Sequence, residues 1–165
     1  MKNLYLLLLL SFLLASCGAS RKPKNTTIIG DTKVSVTAKK ASKIVTYAKS
    51  FEGTRYKYGG VDKRGMDCSG LVYTSFKKEN IALPRISRDM ATKGIKIKLH
   101  DTEEGDLLFF QTNKNHRVIN HVGLVIENHR GEIKFIHSTT SRGVIISSLD
   151  ENYWKSAFVE VRRII

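Results

Sequence analysis

The spacing of apolar side chains changes once along this chain of 165 residues, and that change restricts the fold more than any other feature. Up to about residue 93, apolar residues recur at the spacing of one helix face. From residue 107 onward they form short runs separated by turn-forming residues. The pattern predicts helices at 38–51, 68–80 and 87–93, followed by strands at 107–110, 121–127, 132–138, 144–147 and 158–162. Helices followed by consecutive strands favour an α+β fold with an antiparallel sheet.

Residues 1–16 have the features of an export signal. One charge, Lys2, precedes a leucine-rich run at residues 4–14 that is too short to span a bilayer comfortably. The run ends in Leu14-Ala15-Ser16-Cys17-Gly18, which resembles the bacterial lipobox, in which the cysteine is acylated and becomes the mature N-terminus. The resemblance implies a lipoprotein held in a membrane through Cys17. Because no aspartate follows Cys17, analogy favours the periplasmic face of the outer membrane. An ordinary cleaved signal is the alternative.

Residues 17–40 are predicted to form a flexible tether, because small and polar residues dominate them and no strong periodicity is visible. A short β segment at 34–37 is the alternative. Residues 41–165 are long enough to enclose one hydrophobic core. We expect this domain to be a monomer without a cofactor, and the sequence contains neither a repeat nor a metal-finger spacing.

The charge of the chain bears on its partners. The 28 Lys and Arg outnumber the 15 Asp and Glu, which gives a formal charge of +13 spread along the chain. Nucleic acid is the first partner that such a charge suggests, but an export signal takes the protein away from nucleic acid. We therefore expect an anionic polymer of the cell envelope as the partner. A solvated basic surface without a specific partner is the alternative.

Cys68 lies where a glycine-rich loop gives way to a predicted helix, and Asp67 precedes it as a potential N-cap. The free N–H groups and the dipole of a helix N-terminus favour a thiolate over a thiol. If Cys17 is acylated, Cys68 is the one remaining thiol in an exported protein, which requires either a role or burial. The alternative is that Cys68 is a small core residue. Residues at helical spacing after it are Leu71, Val72, Ser75 and Phe76.

His121 and His137 lie on two predicted strands that flank a turn at 128–131. A hairpin centred on His129 pairs residues whose numbers add to 258, and it places the two imidazoles directly opposite each other on one face. We predict that His121 takes the proton of Cys68 and that His137 holds His121 in its reactive tautomer. A Cys-His-His zinc site is the alternative, but neither a short ligand pair nor a fourth ligand supports it.

Six segments of the chain occur in an order that resembles a known family. They are Tyr56-Lys57-Tyr58-Gly59-Gly60, Gly65-Met66-Asp67-Cys68-Ser69-Gly70-Leu71-Val72, Leu83-Pro84-Arg85-Ile86-Ser87, Gly105-Asp106-Leu107-Leu108-Phe109-Phe110, His121-Val122-Gly123 and Thr140-Ser141-Arg142-Gly143-Val144. Together they resemble the NlpC/P60 family of cell-wall cysteine peptidases, and most closely its lipoprotein endopeptidases. The resemblance covers roughly residues 41–165.

The resemblance implies a papain-like α+β fold and the hydrolysis of amide bonds in peptidoglycan stem peptides or their cross-links. By position, Cys68 matches the nucleophile, His121 the base and His137 the third polar residue. Tyr56 matches the tyrosine whose hydroxyl helps to hold the oxyanion. An amidase that cuts between sugar and peptide, and a lipoprotein that binds the wall without cutting it, remain alternatives.

Four further residues are candidates for contact with the substrate. Ser69 neighbours the nucleophile, and Arg85, Arg88 and Arg142 can meet carboxylates of a stem peptide through bidentate contacts. A supporting or solvated role is the alternative for each of them. The loop at 112–120 and the segment between the two histidines exceed the minimal pattern of the family, which affects one rim of the cleft and the choice of substrate.

Overall fold

The computed structural model of the protein describes residues 29–113 and 118–165. The predicted signal peptide, Cys17 and the first part of the predicted tether lie outside the described residues. The helices are α1 (Ile29–Lys49), α2 (Cys68–Lys78), α3 (Ser87–Met90) and α4 (Asn152–Ala157). The strands are β1 (Val61–Asp62), β2 (Gly65–Met66), β3 (Ile95–Ile97), β4 (Leu107–Phe110), β5 (His121–His129), β6 (Glu132–Thr139), β7 (Gly143–Ser148) and β8 (Phe158–Arg163). No helix in these ranges is both long and apolar enough to cross a membrane.

Helix α1 begins at Ile29, inside the segment predicted to be a tether. The prediction of a flexible chain is therefore wrong for residues 29–40, and so is the alternative of a β segment at 34–37. The first buried residue of this helix whose side chain is described is Ala41, whereas Val36 is 60% exposed. Residues 36–40 are exposed or half-buried, so this part of α1 carries no apolar stripe by which the sequence would reveal a helix.

The other predicted elements are present. Helix α2 lies within the predicted 68–80, and α3 begins at Ser87 as predicted but ends at Met90. Each of the five predicted strands is found, with ends that agree to within two residues. The α+β fold is confirmed, because six antiparallel strands form one sheet in the order β3-β8-β4-β5-β6-β7. The short strands β1, β2 and β3 were not predicted.

The sheet is covered on both faces. All four residues of β4 are buried, since alternate side chains point to opposite faces. Leu107 and Phe109 pack with α1 and α2 in the larger core. Leu108 and Phe110 pack in a smaller core that contains Trp154 of α4. Cys68 at the start of α2, His121 at the start of β5 and Thr139 at the end of β6 lie around one cleft.

The hairpin of β5 and β6 has a different register from the predicted one. Its turn lies at residues 130–131, and the adjacent pair is His129 with Glu132, so that paired numbers add to 261. In a regular hairpin, residues on the two strands share a face only if their numbers add to a total of the same parity as the paired numbers. The paired sum is odd, whereas 121 and 137 add to an even number, so a regular hairpin would put His121 and His137 on opposite faces of the sheet. The prediction that the two histidines are directly opposite each other is therefore wrong.

A β-bulge brings the two histidines back to one face. It lies between Val125 and Glu127 and gives β5 one residue more than β6, so that pairs beyond it add to 260. In this register His121 and His137 are diagonal neighbours on the same face. The predicted proximity is confirmed, but it depends on a bulge that the sequence did not reveal.

Candidate active site

Asp67 fixes the start of helix α2. Its side chain accepts a hydrogen bond from the backbone N–H of Gly70 at 2.6 Å, which is the N-cap interaction predicted for it. Its second carboxylate oxygen accepts from the N–H of Gly59 at 2.7 Å. One carboxylate thus ties the glycine-rich loop to the helix and places Cys68 in the first turn.

Arg85 completes this arrangement. Its guanidinium donates to both carboxylate oxygens of Asp67 at 2.9 Å, to Ser69 Oγ at 2.9 Å and to the Gly60 carbonyl at 3.2 Å. A Cβ atom at Gly70 would lie 2.0 Å from the same carbonyl oxygen, so only glycine permits this close approach. Arg85 and Ser69, both candidates for substrate contact, are thus engaged with the protein itself.

The surroundings of Cys68 favour the thiol. Burial raises the pKa of the Cys68 thiol, and the nearby Asp67 carboxylate raises it further. Backbone N–H groups of Val122, Ser69 and Cys68 act in the opposite direction. The prediction that the helix N-terminus leaves a thiolate at rest is therefore wrong, because desolvation outweighs the N–H groups.

The two histidines form a hydrogen-bonded pair. Nε2 of His121 lies 3.0 Å from Nδ1 of His137. Burial lowers the pKa of His121 to about 4. Burial lowers the pKa of His137 as well, and the proximity of His121 and Arg142 adds to that shift. Both imidazoles are neutral at pH 7, and Nδ1 of His121 is the ring nitrogen that is not engaged with His137.

A cleft of about 440 Å³ brings the chemistry together. Cys68, His121, Tyr56 and Arg142 line it, as does Trp154. Burial raises the pKa of the Tyr56 hydroxyl, and the proximity of Asp67 and Cys68 raises it further, so that this hydroxyl remains a hydrogen-bond donor. A cavity of similar size beside α1, about 450 Å³, is lined by no cysteine or histidine.

The three candidate arginines have different surroundings. Arg142 lines the cleft, and its guanidinium has no hydrogen-bond or ion-pair partner among the described residues. Arg88 does not line the cleft; its guanidinium lies 3.6 Å from Asp89 on the surface. Only Arg142 is therefore placed to meet an acidic group that enters the cleft.

A metal site does not fit these side chains. No group of three or more histidine, cysteine, aspartate or glutamate residues in the described ranges is arranged to hold an ion. The nitrogens of His121 and His137 that face each other are already joined by a hydrogen bond. The two imidazoles are thus engaged with each other.

Trp154 is the residue of the site that the sequence did not indicate. It stacks on His121 with ring centroids 5.1 Å apart and an angle of 23° between the planes. It meets His137 edge to face at 4.6 Å. A single tryptophan in a short polar helix shows no pattern, so nothing in the spacing distinguishes it from a core residue.

The fold and the site define a class of enzyme. A cysteine in the first turn of a helix, a histidine at the start of an antiparallel strand and a second polar residue bonded to that histidine are the arrangement of a papain-like cysteine peptidase. Residues 53–163 match the model of the NlpC/P60 family, and the chain belongs to that family. The resemblance seen in the sequence is thereby confirmed.

Similar proteins extend the comparison. The chain is 36% identical over 160 residues to "Probable endopeptidase NlpC" of Escherichia coli (strain K12), a match that covers 96% of this chain and 97% of that protein. It is 33% identical over 170 residues to "Murein DD-endopeptidase MepS/Murein LD-carboxypeptidase" of the same strain, covering 93% and 87%. The crystal structure of an NlpC/P60 family protein from Bacillus cereus ATCC 10987 matches with a TM-score of 0.68 and 28% identity, over 75% of this chain and 40% of that one.

Proposed function

We propose that this protein is a murein endopeptidase, which hydrolyses amide bonds in peptidoglycan stem peptides or their cross-links through a thioester acyl-enzyme. The observation that carries the proposal is that Cys68 and His121 line one cleft, and that the buried His137 is hydrogen-bonded to His121. The relative described as a murein DD-endopeptidase supports the choice of substrate. The basic charge of the chain suits an anionic wall polymer.

The first half of the reaction forms the thioester. Nδ1 of His121 takes the thiol proton as the sulfur of Cys68 attacks the carbonyl carbon of the amide, because neither group is charged at rest. The hydrogen bond between Nε2 of His121 and Nδ1 of His137 stabilises the imidazolium that results. The imidazolium then gives its proton to the amide nitrogen, the C–N bond breaks and the amine leaves.

The second half releases the acid. His121 takes a proton from water, the hydroxide oxygen attacks the thioester carbon and the C–S bond breaks. The thiolate regains the proton from His121. In both halves negative charge develops on the carbonyl oxygen, where the Tyr56 hydroxyl and a backbone N–H at the start of α2 serve as donors. Loss of one such donor costs roughly 3 kcal/mol of barrier.

Arg142 supplies a contact for the substrate. Its guanidinium lies at the cleft without a partner in the described part of the chain, and it can hold a carboxylate of a stem peptide through two parallel hydrogen bonds. Arg85 supports the helix start, and Ser69 shares in that network. Arg142 is therefore the arginine to which we assign substrate binding.

We also propose a location. The lipobox-like sequence at residues 14–18 supports acylation of Cys17, cleavage of residues 1–16 and attachment to the periplasmic face of the outer membrane as a monomer. Several acyl chains would hold the protein firmly, since each buried methylene adds roughly 0.8 kcal/mol. Incorporation of labelled palmitate into the chain, and its loss in Cys17→Ser, tests the anchor.

The activity is tested with the purified full chain and defined muropeptides, whose products are weighed by mass spectrometry. We expect cleavage within stem peptides or cross-links, and a loss of at least about 10³-fold in rate for Cys68→Ala and for His121→Ala. His129→Ala, at the exposed hairpin tip, is the matched histidine control and should retain the activity.

Other outcomes would overturn the proposal. Fragments cut between sugar and peptide would identify an amidase. Retention on the cell wall without new amino groups would identify a binding lipoprotein. Equal digestion of the wall by Cys68→Ala and the parent protein would remove the thiol from the mechanism.

A further inference from the structure

Trp154 lies against both histidines of the site. It is the buried residue of helix α4, with 5% of its surface exposed. Its ring is nearly parallel to that of His121, at 23°, and nearly perpendicular to that of His137, at 79°. Trp154 also lines the cleft that contains Cys68. One indole thus contacts both members of the hydrogen-bonded pair while it borders the space where the substrate enters.

The tautomers of the pair explain why such a contact matters. If His121 is to accept the proton of Cys68 at Nδ1, its own hydrogen must be on Nε2 and must be donated to Nδ1 of His137. His137 then carries its hydrogen on Nε2. That nitrogen is buried and has no hydrogen-bond partner among the described residues. No hydrogen bond within the described residues therefore fixes the orientation of His137 from its Nε2 side. The aromatic rings packed around the two histidines must fix that orientation instead.

The aromatic rings around the two histidines differ in which imidazole they contact. Phe135 packs against His137 at 4.7 Å, but it has no ring contact with His121 in the described part of the chain. Phe110 packs against His121 at 6.0 Å and a tilt of 54°, which is a looser contact than the stack of Trp154. Among the described residues, only Trp154 has close ring contacts with both imidazoles.

We propose that Trp154 is a positioning residue for the histidine pair, because its ring face holds the imidazole of His121 in the plane that directs Nε2 to His137 and Nδ1 to the cleft. The expected effect of Trp154 on the reaction rate rests on the proposed function. The position of its ring relative to His121 does not, because it can be measured in the absence of substrate. A displacement of about 1 Å in a catalytic group lowers a rate by up to about 10²-fold. Trp154 therefore acts through His121 and needs no contact with the reacting bond.

A purely structural role is the competing explanation, since Trp154 also packs on Phe110 at 5.1 Å and on Phe135 at 5.5 Å. Phe158 provides a matched control. It packs on Phe110 at 6.2 Å in the same small core and makes no ring contact with either histidine in the described ranges. Phe158→Leu thus perturbs the core without removing the ring that covers the histidines.

The first measurement is NMR of the full chain labelled at histidine, in detergent at pH 7. A ring stacked on an indole face experiences a ring current, so we expect the ring protons of His121 in the parent protein to resonate upfield of an exposed histidine. The displacement should disappear in Trp154→Leu and persist in Phe158→Leu. An undisplaced resonance in the parent protein would overturn the proposal, even if no Trp154 variant folds.

The second measurement is hydrolysis of a defined muropeptide. We expect Trp154→Leu to lower kcat about tenfold or more and to change KM by less than about twofold. Trp154→Phe keeps an aromatic face and should recover most of kcat, while Phe158→Leu should stay within about twofold of the parent. Equal losses in Trp154→Leu and Phe158→Leu would overturn the proposal. If the parent protein hydrolyses no muropeptide, the proposed function fails, and the NMR result still decides the position of Trp154.

Discussion

The state of Cys68 at rest follows from two opposing effects on one sulfur. The N–H groups at the start of α2 and that of Val122 favour the thiolate, while burial and the Asp67 carboxylate favour the thiol. Burial is the largest of these effects, and the pKa of the thiol is raised. The pKa of His121 is lowered, so the imidazole does not hold a proton that would stabilise a thiolate. In the proposed mechanism, proton transfer therefore accompanies attack on the substrate.

Alkylation of the thiol tests this state. Since iodoacetamide reacts with the thiolate, we expect the rate of modification of Cys68 to be low at pH 7 and to increase up to pH 9 and beyond. Mass spectrometry of the Cys68 peptide after timed exposure gives the rate. His121→Gln should leave the profile nearly unchanged, because a neutral imidazole does not lower the pKa of the thiol. A plateau between pH 5 and 8 that disappears in His121→Gln would instead reveal a thiolate–imidazolium pair.

At the scale of single residues, the sequence predicted which side chains come together better than it predicted their protonation states. Cys68, His121 and His137 were predicted because each belongs to a local pattern, a helix start or a strand. The charge state of Cys68 was not predictable, since it depends on how many atoms from distant segments exclude water from the sulfur. Trp154 was missed for the same reason, because its contacts with the histidines are made between elements.

At the scale of elements, the start of α2 is fixed from outside the helix. Arg85 lies 18 residues from Asp67, and it joins the N-cap carboxylate to Ser69 and to the glycine-rich loop. The Asp67 side chain is 11% exposed and that of Arg85 is 32% exposed. Loss of the guanidinium would leave a nearly buried carboxylate without its charged partner.

Arg85→Ala should therefore destabilise the protein by about 2 kcal/mol, a value below that of a fully buried pair because Arg85 is partly exposed. It should also lower the rate of hydrolysis, because the helix start that positions Cys68 is loosened. Urea unfolding gives the change in the free energy of unfolding. Arg64→Ala is the matched control, since it removes an exposed ion pair with Asp62, and it should have little effect. Equal losses in the two variants would show that Arg85 does not stabilise the site.

The hairpin of β5 and β6 shows that strands can be predicted from the sequence while their register cannot. Its strands were predicted almost to the residue, yet the register was not, because the composition of residues 128–131 permits more than one turn. The bulge between Val125 and Glu127 leaves no signature in the spacing of apolar residues, although it decides that His121 and His137 share a face.

On the scale of the whole molecule, the order of strands in the sheet could not be predicted from the sequence either. Strand β8, at the end of the described chain, lies between β3 and β4 and joins residues far apart in sequence. Periodicity reports on the faces of one element and contains no information about its neighbours. The fold class could thus be predicted from the succession of elements, whereas the arrangement within the sheet could not.

The buried histidine pair links the stability of the whole molecule to pH. Both imidazoles have pKa values below the value of about 6.5 in an unfolded chain. Between that value and their folded pKa values, the unfolded state binds more protons than the folded state. The free energy of unfolding therefore increases with pH in this window. The contribution is complete above about pH 6.5 and decreases as the pH falls, that of His121 down to about pH 4 and that of His137 below that pH as well.

Urea unfolding between pH 7.5 and 4.5 measures this contribution. We expect each histidine to add up to about 1.4 kcal/mol per pH unit to the slope of the free energy of unfolding, so the parent protein weakens steeply below pH 6.5. The double variant His121→Gln and His137→Gln has the same carboxylates but lacks both imidazoles, so its slope in this window should be shallower. The comparison uses slopes, because the two substitutions also change the stability at pH 7. Identical slopes in the parent and the double variant would mean that the two histidines are protonated as readily in the folded protein as in the unfolded chain.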